Sequence, residues 1–131
     1  QIVKPPYGRI TAIDMNSGDH LWMIANADTP EQIANHPLLE GVDLPRTGVP
    51  TRSGILLTKT LLFVGERTGA AGALPIFRAI DKQTGDIIAE IDLPDNQTGL
   101  PLTYEHDGKQ YVAMFVGGSG TPAELVAFAL P

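Results

Sequence analysis

A glycine-rich run near the end of the sequence has the residue types to contact a bound ligand. It reads Gly117-Gly118-Ser119-Gly120 and follows an apolar stretch that we expect to be a strand. Glycine allows another molecule to approach the backbone closely, and the Ser119 hydroxyl can donate a hydrogen bond. The alternative is a plain turn made of small residues. The run is not a phosphate loop, because no helix pattern follows it and the lysine is missing.

Two other segments carry groups that could bind a carboxylate. Glu66-Arg67 follows a second apolar run, and Arg46-Thr47-Gly48 lies in a long loop. Arginine is suited to this role because its guanidinium can bind a carboxylate through two parallel hydrogen bonds. For both segments we favour the simpler interpretation, a solvated ion pair.

The remaining polar residues form no recognisable catalytic or metal-binding set. Asp14 and Asp81 each stand just before a turn, where we expect their carboxylates to accept hydrogen bonds from turn amides. His20, His36 and His106 show no ligand spacing with one another or with a carboxylate cluster, so we expect them in loops or on the surface. We therefore predict no catalytic residue and no metal ligand in this chain.

Composition narrows the possible functions. The net charge is −6 and the nine Lys and Arg residues are scattered, which argues against a nucleic-acid binder and against a polybasic membrane surface. The sequence has no cysteine, so disulfides and thiol chemistry are excluded. No apolar run approaches the roughly 18 residues of a transmembrane helix. Because the chain begins at Gln1, a targeting segment could lie upstream of it.

An internal repeat indicates how these residues are arranged. The segment Ala12–Trp22 recurs as Ala79–Ala89, and each copy reads as strand, glycine turn and strand. A repeat of this kind marks stacked units that cannot bury their apolar surface alone. Gly18 and Gly85 supply the positive φ that reverses the chain. We expect Trp22 to pack between two such units and its N–H to reach a carbonyl.

The apolar runs divide into two, four and three predicted strands. They cover residues 10–14, 21–25, 55–58, 61–64, 77–81, 87–93, 102–106, 111–116 and 125–130. The runs at 55–58 and 61–64 are continuously apolar, which predicts burial on both faces. The run at 87–93 alternates, which predicts an outermost strand with one solvated face. Asp107-Gly108 predicts a two-residue hairpin turn.

The predicted fold is all-β, a fragment of a β-propeller with one complete four-stranded blade flanked by two partial blades. Residues 1–25 would form the outer strands of one blade, 51–93 the complete blade and 101–131 the partial last blade. The inter-blade loop 26–50 would hold one short helix over 30–36. The helix pattern is Thr29-Pro30-Glu31-Gln32, with Thr29 as the cap in a capping box, and Pro37 ends it.

Blade topology predicts which loops lie at a common mouth. Strands alternate in direction from the axis outward, so the loops after the second and fourth strands share one rim and the glycine turns lie on the other. The mouth loops would be 66–76, 117–123, 26–50 and 94–101. Within the last of these, Asn96-Gln97-Thr98 matches a glycosylation sequon, which we interpret as chance.

The repeats, the segment Thr103–Ala113, the glycine-rich run and the closing Val126–Pro131 resemble the C-terminal end of PQQ-dependent quinoprotein dehydrogenases. The similarity is greatest to the membrane-bound quinoprotein glucose dehydrogenase branch and covers nearly the whole chain. Two positions depart from the family pattern. Ala89 stands where the family usually has a docking tryptophan, and Ser119 stands where the glucose enzymes tend to have histidine.

The resemblance implies an eight-bladed propeller that holds PQQ on its axis beside Ca²⁺. It implies a periplasmic enzyme with an inner-membrane anchor upstream, which oxidises a small alcohol or sugar and passes electrons to a quinone or another acceptor. Gly117, Gly118 and Ser119 would contact PQQ. The catalytic Asp and the Ca²⁺ ligands would lie in the remainder of the propeller, so we expect the isolated chain to be inactive.

The alternative function is a non-catalytic propeller scaffold of the cell envelope that binds proteins through the same repeats. On either hypothesis the first and last strands would leave backbone groups unpaired, and such edges favour pairing between chains. We therefore expect the isolated chain to self-associate.

Overall fold

Nine strands in three antiparallel sheets form the protein, as seen in a computed structural model that describes residues 4–67, 72–118 and 121–129. The strands are β1 (Arg9–Ile13), β2 (His20–Ala25), β3 (Ile55–Leu57), β4 (Leu61–Glu66), β5 (Ile76–Asp81), β6 (Ile87–Asp92), β7 (Leu102–His106), β8 (Lys109–Gly118) and β9 (Thr121–Ala129). A short helix, α1 (Glu31–Ala34), and a 3-10 turn at Pro37–Leu39 lie between β2 and β3.

The sheets contain two, four and three strands in sequence order, β1-β2, β3-β4-β5-β6 and β7-β8-β9. This is the division that the sequence predicted, and it is the arrangement of an all-β propeller fragment with one four-stranded blade between two partial ones. The number of blades in a closed ring stays a prediction.

Both faces of the middle sheet contribute to the core. One cluster joins it to the first sheet through Ile10, Leu62, Val64 and Ile80. The other joins it to the third sheet through a buried set comprising Phe77, Leu93, Val112, Met114 and Val116. Phe77 also stacks between Phe63 and Phe128, with ring centroids 5.8 and 6.2 Å away. The strands predicted from the apolar runs therefore pack the middle sheet against the first and third sheets.

The repeat forms matching turns in the first and middle sheets. Asp14 Oδ1 accepts hydrogen bonds from the N–H groups of Asn16 and Ser17, and Asp81 Oδ1 accepts them from Gln83 and Thr84. Gly18 and Gly85 have φ values of 80° and 81°. The turn role predicted for both aspartates is confirmed. The hydrogen bonds from Asn16, the larger cause, and from Ser17 favour the charged carboxylate and so lower the pKa of Asp14.

Trp22 joins the first sheet to the middle one. Its Nε1 donates a hydrogen bond to the Lys82 carbonyl at 3.0 Å. Its ring lies so close to Gly85 that a Cβ added there would be 2.9 Å from Trp22 Cδ2. The predicted packing role of this tryptophan is confirmed.

Burial of two strands differs from the prediction. β3 was expected to be buried on both faces, but Ile55 and Leu57 are exposed, because no described residue covers that side of the innermost strand. β6 was expected to bury one face, yet all six of its residues are exposed and only the following Leu93 enters the core. The residues of β4 are buried or half-buried, as predicted.

The helix prediction was too long, and its cap was wrong. α1 has four residues, begins after Pro30 and has no side-chain cap. The Thr29 hydroxyl instead donates to the Pro45 carbonyl and accepts from the Thr47 N–H. The Thr29 side chain therefore makes hydrogen bonds within the long loop instead of capping the helix. None of the helices in the described part of the chain has the length and apolarity to cross a membrane.

Hairpin β8–β9 is longer than predicted. β8 runs to Gly118, and Gly118 pairs with Thr121 at the start of β9. Gly117 and Gly118 are therefore strand residues, not members of a 117–123 loop. Ser119 and Gly120, at the hairpin tip, lie outside the described residues. The Asp107-Gly108 turn was predicted correctly, with positive φ at both residues.

Candidate functional site

A cleft of about 490 Å³ opens between the middle and third sheets. It lies where the chain enters β3 and where β4, β6 and β8 end, because antiparallel strands bring these ends to one rim. The lining residues are Pro50, Thr51, Arg52, Ser53, Arg67, Asn96, Gln97, Thr98, Gly117 and Gly118. None of the three glycine turns at Gly18, Gly85 and Gly108 lines this cleft.

The linker from β6 to β7 forms one wall, and Gln97 fixes it. This side chain is 8% exposed. Its Oε1 accepts from the Gly65 N–H at 2.7 Å, and its Nε2 donates to the carbonyls of Gly54 and Gly99 at 2.8 and 2.7 Å. A Cβ on Gly65 would be 2.5 Å from Gln97 Oε1, so the close approach requires glycine there. The amide thus ties the linker to the middle sheet.

The same linker continues beside β8. Gln97 forms an antiparallel bridge with Val116, the Thr98 N–H donates to the Phe115 carbonyl at 3.0 Å, and the Gly117 N–H donates to the Asn96 carbonyl at 2.9 Å. The wall is therefore held by backbone hydrogen bonds on one side and by the Gln97 amide on the other.

Asp95 stands where the linker meets the glycine-rich hairpin. Its Oδ1 accepts from the Asn96 N–H at 2.6 Å, and its Oδ2 accepts from the Thr121 hydroxyl. These hydrogen bonds favour the charged carboxylate, so the pKa of Asp95 is lowered, with the Thr121 bond as the larger cause and the Asn96 bond next. A Cβ on Gly118 would lie 2.9 Å from both carboxylate oxygens.

The contacts of Gly117 and Gly118 within the chain explain why both are glycine. Gly118 faces Asp95, and a Cβ on Gly117 would be 3.2 Å from the Ala123 Cα on β9. Both residues nevertheless line the cleft. The predicted ligand contact of Gly117, Gly118 and Ser119 stays a prediction, since Ser119 lies outside the described residues.

Two arginines supply the positive charge of the cleft. Arg52 precedes β3 and Arg67 follows β4, and both side chains are exposed. Among the described residues, no carboxylate comes within 4.0 Å of either guanidinium. Because the chain as a whole has a net charge of −6, two unpaired cations in one cleft favour an anionic ligand at this point.

The Glu66-Arg67 prediction of a solvated ion pair was wrong. Glu66 is 4% exposed, and among the described residues it forms no ion pair with Arg67. Its carboxylate accepts from the Ala27 N–H at 2.8 Å, from Arg46 Nη2 at 2.8 Å and from Arg78 Nη1. Arg78 is 5% exposed, and burial, the largest cause, lowers its pKa. This network is structural, since it joins the long loop to β4 and β5.

The Arg46-Thr47-Gly48 segment belongs to the same network. Arg46 Nε lies 2.9 Å from Asp28 Oδ1, and its Nη2 reaches Glu66. Arg46 therefore forms ion pairs within the chain and is not an exposed ligand-binding group. Of the 26–50 loop, only Pro50 lines the cleft.

The histidines lie away from the cleft. His36 Nδ1 accepts from the Leu38 N–H at 3.2 Å, and His106 forms an exposed contact with Asp107 at 3.4 Å. His20 is exposed on β2. Within residues 4–67, 72–118 and 121–129, no three His, Asp or Glu side chains gather as a metal site.

Sequence reasoning missed Gln97, Asp95 and the burial of Glu66. The linker was predicted to lie at the mouth, but Asn96-Gln97-Thr98 was interpreted as a chance sequon. The available signal for a fixed conformation was that this short polar segment lies between two prolines, Pro94 and Pro101.

The fold and the cleft define a propeller fragment, and comparison with known proteins identifies its family. Residues 1–112 match the family described as PQQ: Glucose/ethanol/alcohol dehydrogenase, beta-propeller domain. The chain therefore belongs to this PQQ dehydrogenase propeller family. The family resemblance seen in the sequence is confirmed.

Curated relatives extend the match to almost the whole chain. It is 38% identical to the glycerol dehydrogenase large subunit of Gluconobacter thailandicus over 98% of its length. It is 31% identical to the quinoprotein glucose dehydrogenase of Escherichia coli (strain K12), also over 98%. Over 40% of the chain, it is 43% identical to methanol dehydrogenase (cytochrome c) subunit 1 of Paracoccus denitrificans. The chain spans only 17%, 16% and 8% of these relatives' own lengths.

Proposed function

We propose that this chain is the carboxy-terminal segment of a longer PQQ-dependent alcohol or sugar dehydrogenase, and that its cleft forms part of the PQQ pocket wall. The single observation that carries the proposal is that Arg52 and Arg67, which have no carboxylate partner in the described part of the chain, line the same cleft as Gly117 and Gly118. PQQ is a planar quinone that bears carboxylates, and guanidinium groups bind carboxylates well.

The residues present fit such a ligand. The volume of about 490 Å³ is in the range of small-molecule sites. Gly117 and Gly118 line the cleft with backbone, and we propose that Ser119, the next residue in the sequence, donates a hydrogen bond to the ligand. Asn96, which lines the cleft, has a buried Oδ1 that has no hydrogen-bond partner among the described residues. An N–H or hydroxyl of a ligand would satisfy this acceptor.

In this proposal the chain binds and orients, and the rest of the polypeptide performs the chemistry. PQQ, when bound, accepts the hydride removed from the alcohol carbon. The catalytic Asp and the Ca²⁺ ligands would come from other blades. Arg52 and Arg67 would hold the carboxylates of the cofactor, while the glycine wall would keep bulky side chains away from its face.

The chain would also help to close the ring. The third sheet has three strands, and its outer edge at β9 has no partner strand among the described residues. A strand from elsewhere in the full-length protein would complete it. In the isolated chain this edge and the exposed β3 face are free, so we expect the 131-residue chain to dimerise or form larger oligomers. A concentration-independent monomer in light scattering would contradict this.

The finer assignments are a glucose-type substrate and a quinone or other electron acceptor. Glycerol is the second substrate to test, given the glycerol dehydrogenase relative. We place the enzyme in the periplasm, with an inner-membrane anchor in an upstream segment. Fractionation of the source cell, with the full-length protein followed by immunoblot, tests that location.

Dye-linked oxidation tests the enzymatic proposal directly. The full-length protein, reconstituted with PQQ and Ca²⁺, should oxidise glucose or glycerol and lose activity when PQQ is omitted. The 131-residue chain under the same conditions should show no turnover. Absence of PQQ-dependent oxidation in the full-length protein would favour the non-catalytic scaffold, and turnover by the isolated chain would contradict the proposed division of labour.

A further inference from the structure

Asp95 contacts both strands of the glycine-rich hairpin. Its Oδ2 accepts from the hydroxyl of Thr121 at the start of β9, and a Cβ added to Gly118, at the end of β8, would lie 2.9 Å from both of its oxygens. Gly118 and Thr121 are paired across the hairpin. A single carboxylate therefore lies beside Gly118 and is bonded to Thr121, its partner across the hairpin.

The carboxylate is itself fixed to the cleft wall. Asp95 Oδ1 accepts from the Asn96 N–H and from Asn96 Nδ2 at 2.6 and 3.1 Å. The adjacent Gln97 amide anchors the linker to Gly65 and Gly54 of the middle blade. The linker is thus bonded to the middle sheet through Gln97 and to Thr121, at the start of β9, through Asp95.

We propose that Asp95 is a positioning residue for the cofactor pocket, which sets the distance between the glycine-rich hairpin and the linker wall. The inference rests on the proposed function, because it takes PQQ as the ligand of this cleft. Asp95 is absent from the residues that line the cleft, so it acts on the ligand through Gly117 and Gly118 and not by contact.

The contact is specific for its residue types. A carboxylate has two oxygens to accept from Asn96 and Thr121 at once, and an alanine has none. Thr121→Val removes only the hydroxyl and keeps the shape of the side chain, while Thr121→Ser keeps the hydroxyl. Gly118→Ala would push a methyl group onto both oxygens of Asp95, so its effect depends on that carboxylate.

The test measures PQQ affinity in the full-length apoprotein by fluorescence titration, alongside kcat at saturating PQQ. Asp95→Ala and Thr121→Val should each raise the Kd for PQQ about fivefold, as expected for loss of a partly exposed hydrogen bond to a charged group. Thr121→Ser should retain the wild-type Kd. The kcat at saturating PQQ should change little, because a positioning residue outside the pocket does not touch the reacting atoms.

A double variant and a control separate positioning from general damage. Asp95→Ala combined with Thr121→Val should raise the Kd no further than Asp95→Ala alone, because Asp95→Ala already removes the acceptor of the Thr121 hydroxyl. The control is Asp14→Ala, which removes a carboxylate with similar turn hydrogen bonds from a turn outside the cleft. It should leave the Kd for PQQ unchanged.

The outcomes are distinguishable. If the wild-type protein binds PQQ and the Asp95 and Thr121 variants bind it equally well, the positioning role is wrong and the proposed function stands. The positioning role is equally wrong if Thr121→Ser weakens binding as much as Thr121→Val, or if Asp14→Ala weakens it as much as Asp95→Ala. If the wild-type protein does not bind PQQ, the proposed function fails and the inference fails with it.

Discussion

Glu66 and Arg78 form an ion pair between β4 and β5 in which both side chains are almost fully buried. The pair is not isolated, because Arg46 and the Ala27 N–H also donate to the Glu66 carboxylate and Glu90 accepts from Arg78 Nε at 2.5 Å. Burial of charges is tolerated only when such partners replace water. The network therefore fixes the long loop on β4 and β5 of the middle blade.

Removal of Glu66 should be strongly destabilising. Glu66→Ala leaves the buried Arg78 guanidinium without its partner, and we expect the free energy of unfolding of the full-length protein to fall by about 3 kcal/mol. The matched control is the neighbouring Arg67→Ala, which removes an exposed side chain and should change stability by less than about 0.5 kcal/mol. Urea unfolding followed by circular dichroism measures both. Equal effects of the two variants would contradict the network.

The two repeat glycines offer a second matched comparison. A Cβ on Gly18 would meet no atom within 4 Å. Gly18→Ala should therefore lower the free energy of unfolding by about 1 kcal/mol, because of the positive φ alone. Gly85→Ala has the same φ and also meets the Trp22 ring, so overpacking should add about 1–3 kcal/mol.

The comparison is completed by Trp22→Ala. In that background the extra cost of Gly85→Ala should disappear, because the ring it strikes is gone, and thermal unfolding of the four variants gives the coupling. Additive effects, or equal costs at Gly18 and Gly85, would show that Trp22 does not pack against this turn.

Any change of the Gln97 amide should destabilise the protein. Gln97→Glu replaces the donor that serves the Gly54 and Gly99 carbonyls with an acceptor, and we expect a loss of about 2–3 kcal/mol of unfolding free energy. Gln110→Glu makes the same change at an exposed position, where Nε2 bonds to Thr103 Oγ1. Because Gln110 pairs with Glu105 across β7 and β8, the new carboxylate should lower the free energy of unfolding by less than about 1 kcal/mol in the same urea experiment. A neutral Gln97→Glu would mean that the linker is held by other contacts.

Local sequence signals predicted the features that local physics decides. The repeated Asp and Gly positions identified the turns at Asp14 and Asp81, and the strand-turn-strand unit identified the sheets. Trp22 was recognised as a residue between blades because an indole buries a large surface and needs one hydrogen-bond partner. These inferences depend on residues within a few positions of one another.

Contacts between distant segments could not be read in the same way. Glu66 looked like one half of a pair with Arg67, yet its partners, Arg46 and Arg78, belong to the long loop and to the next strand. Thr29 looked like a helix cap, but it bonds to Pro45 and Thr47 instead. Each polar group had several possible partners, and only the packing of the sheets selects among them.

The most direct measurement is the affinity of the full-length apoprotein for PQQ, with and without the two cleft arginines. Arg52→Ala combined with Arg67→Ala should raise the Kd at least about tenfold, since both guanidiniums would bind carboxylates of the cofactor. Lys59→Ala combined with Lys109→Ala removes the same charge outside the cleft and should leave the Kd unchanged. If the arginine variant binds PQQ as tightly as the wild type, or if the wild type does not bind PQQ, this cleft is not part of the cofactor pocket.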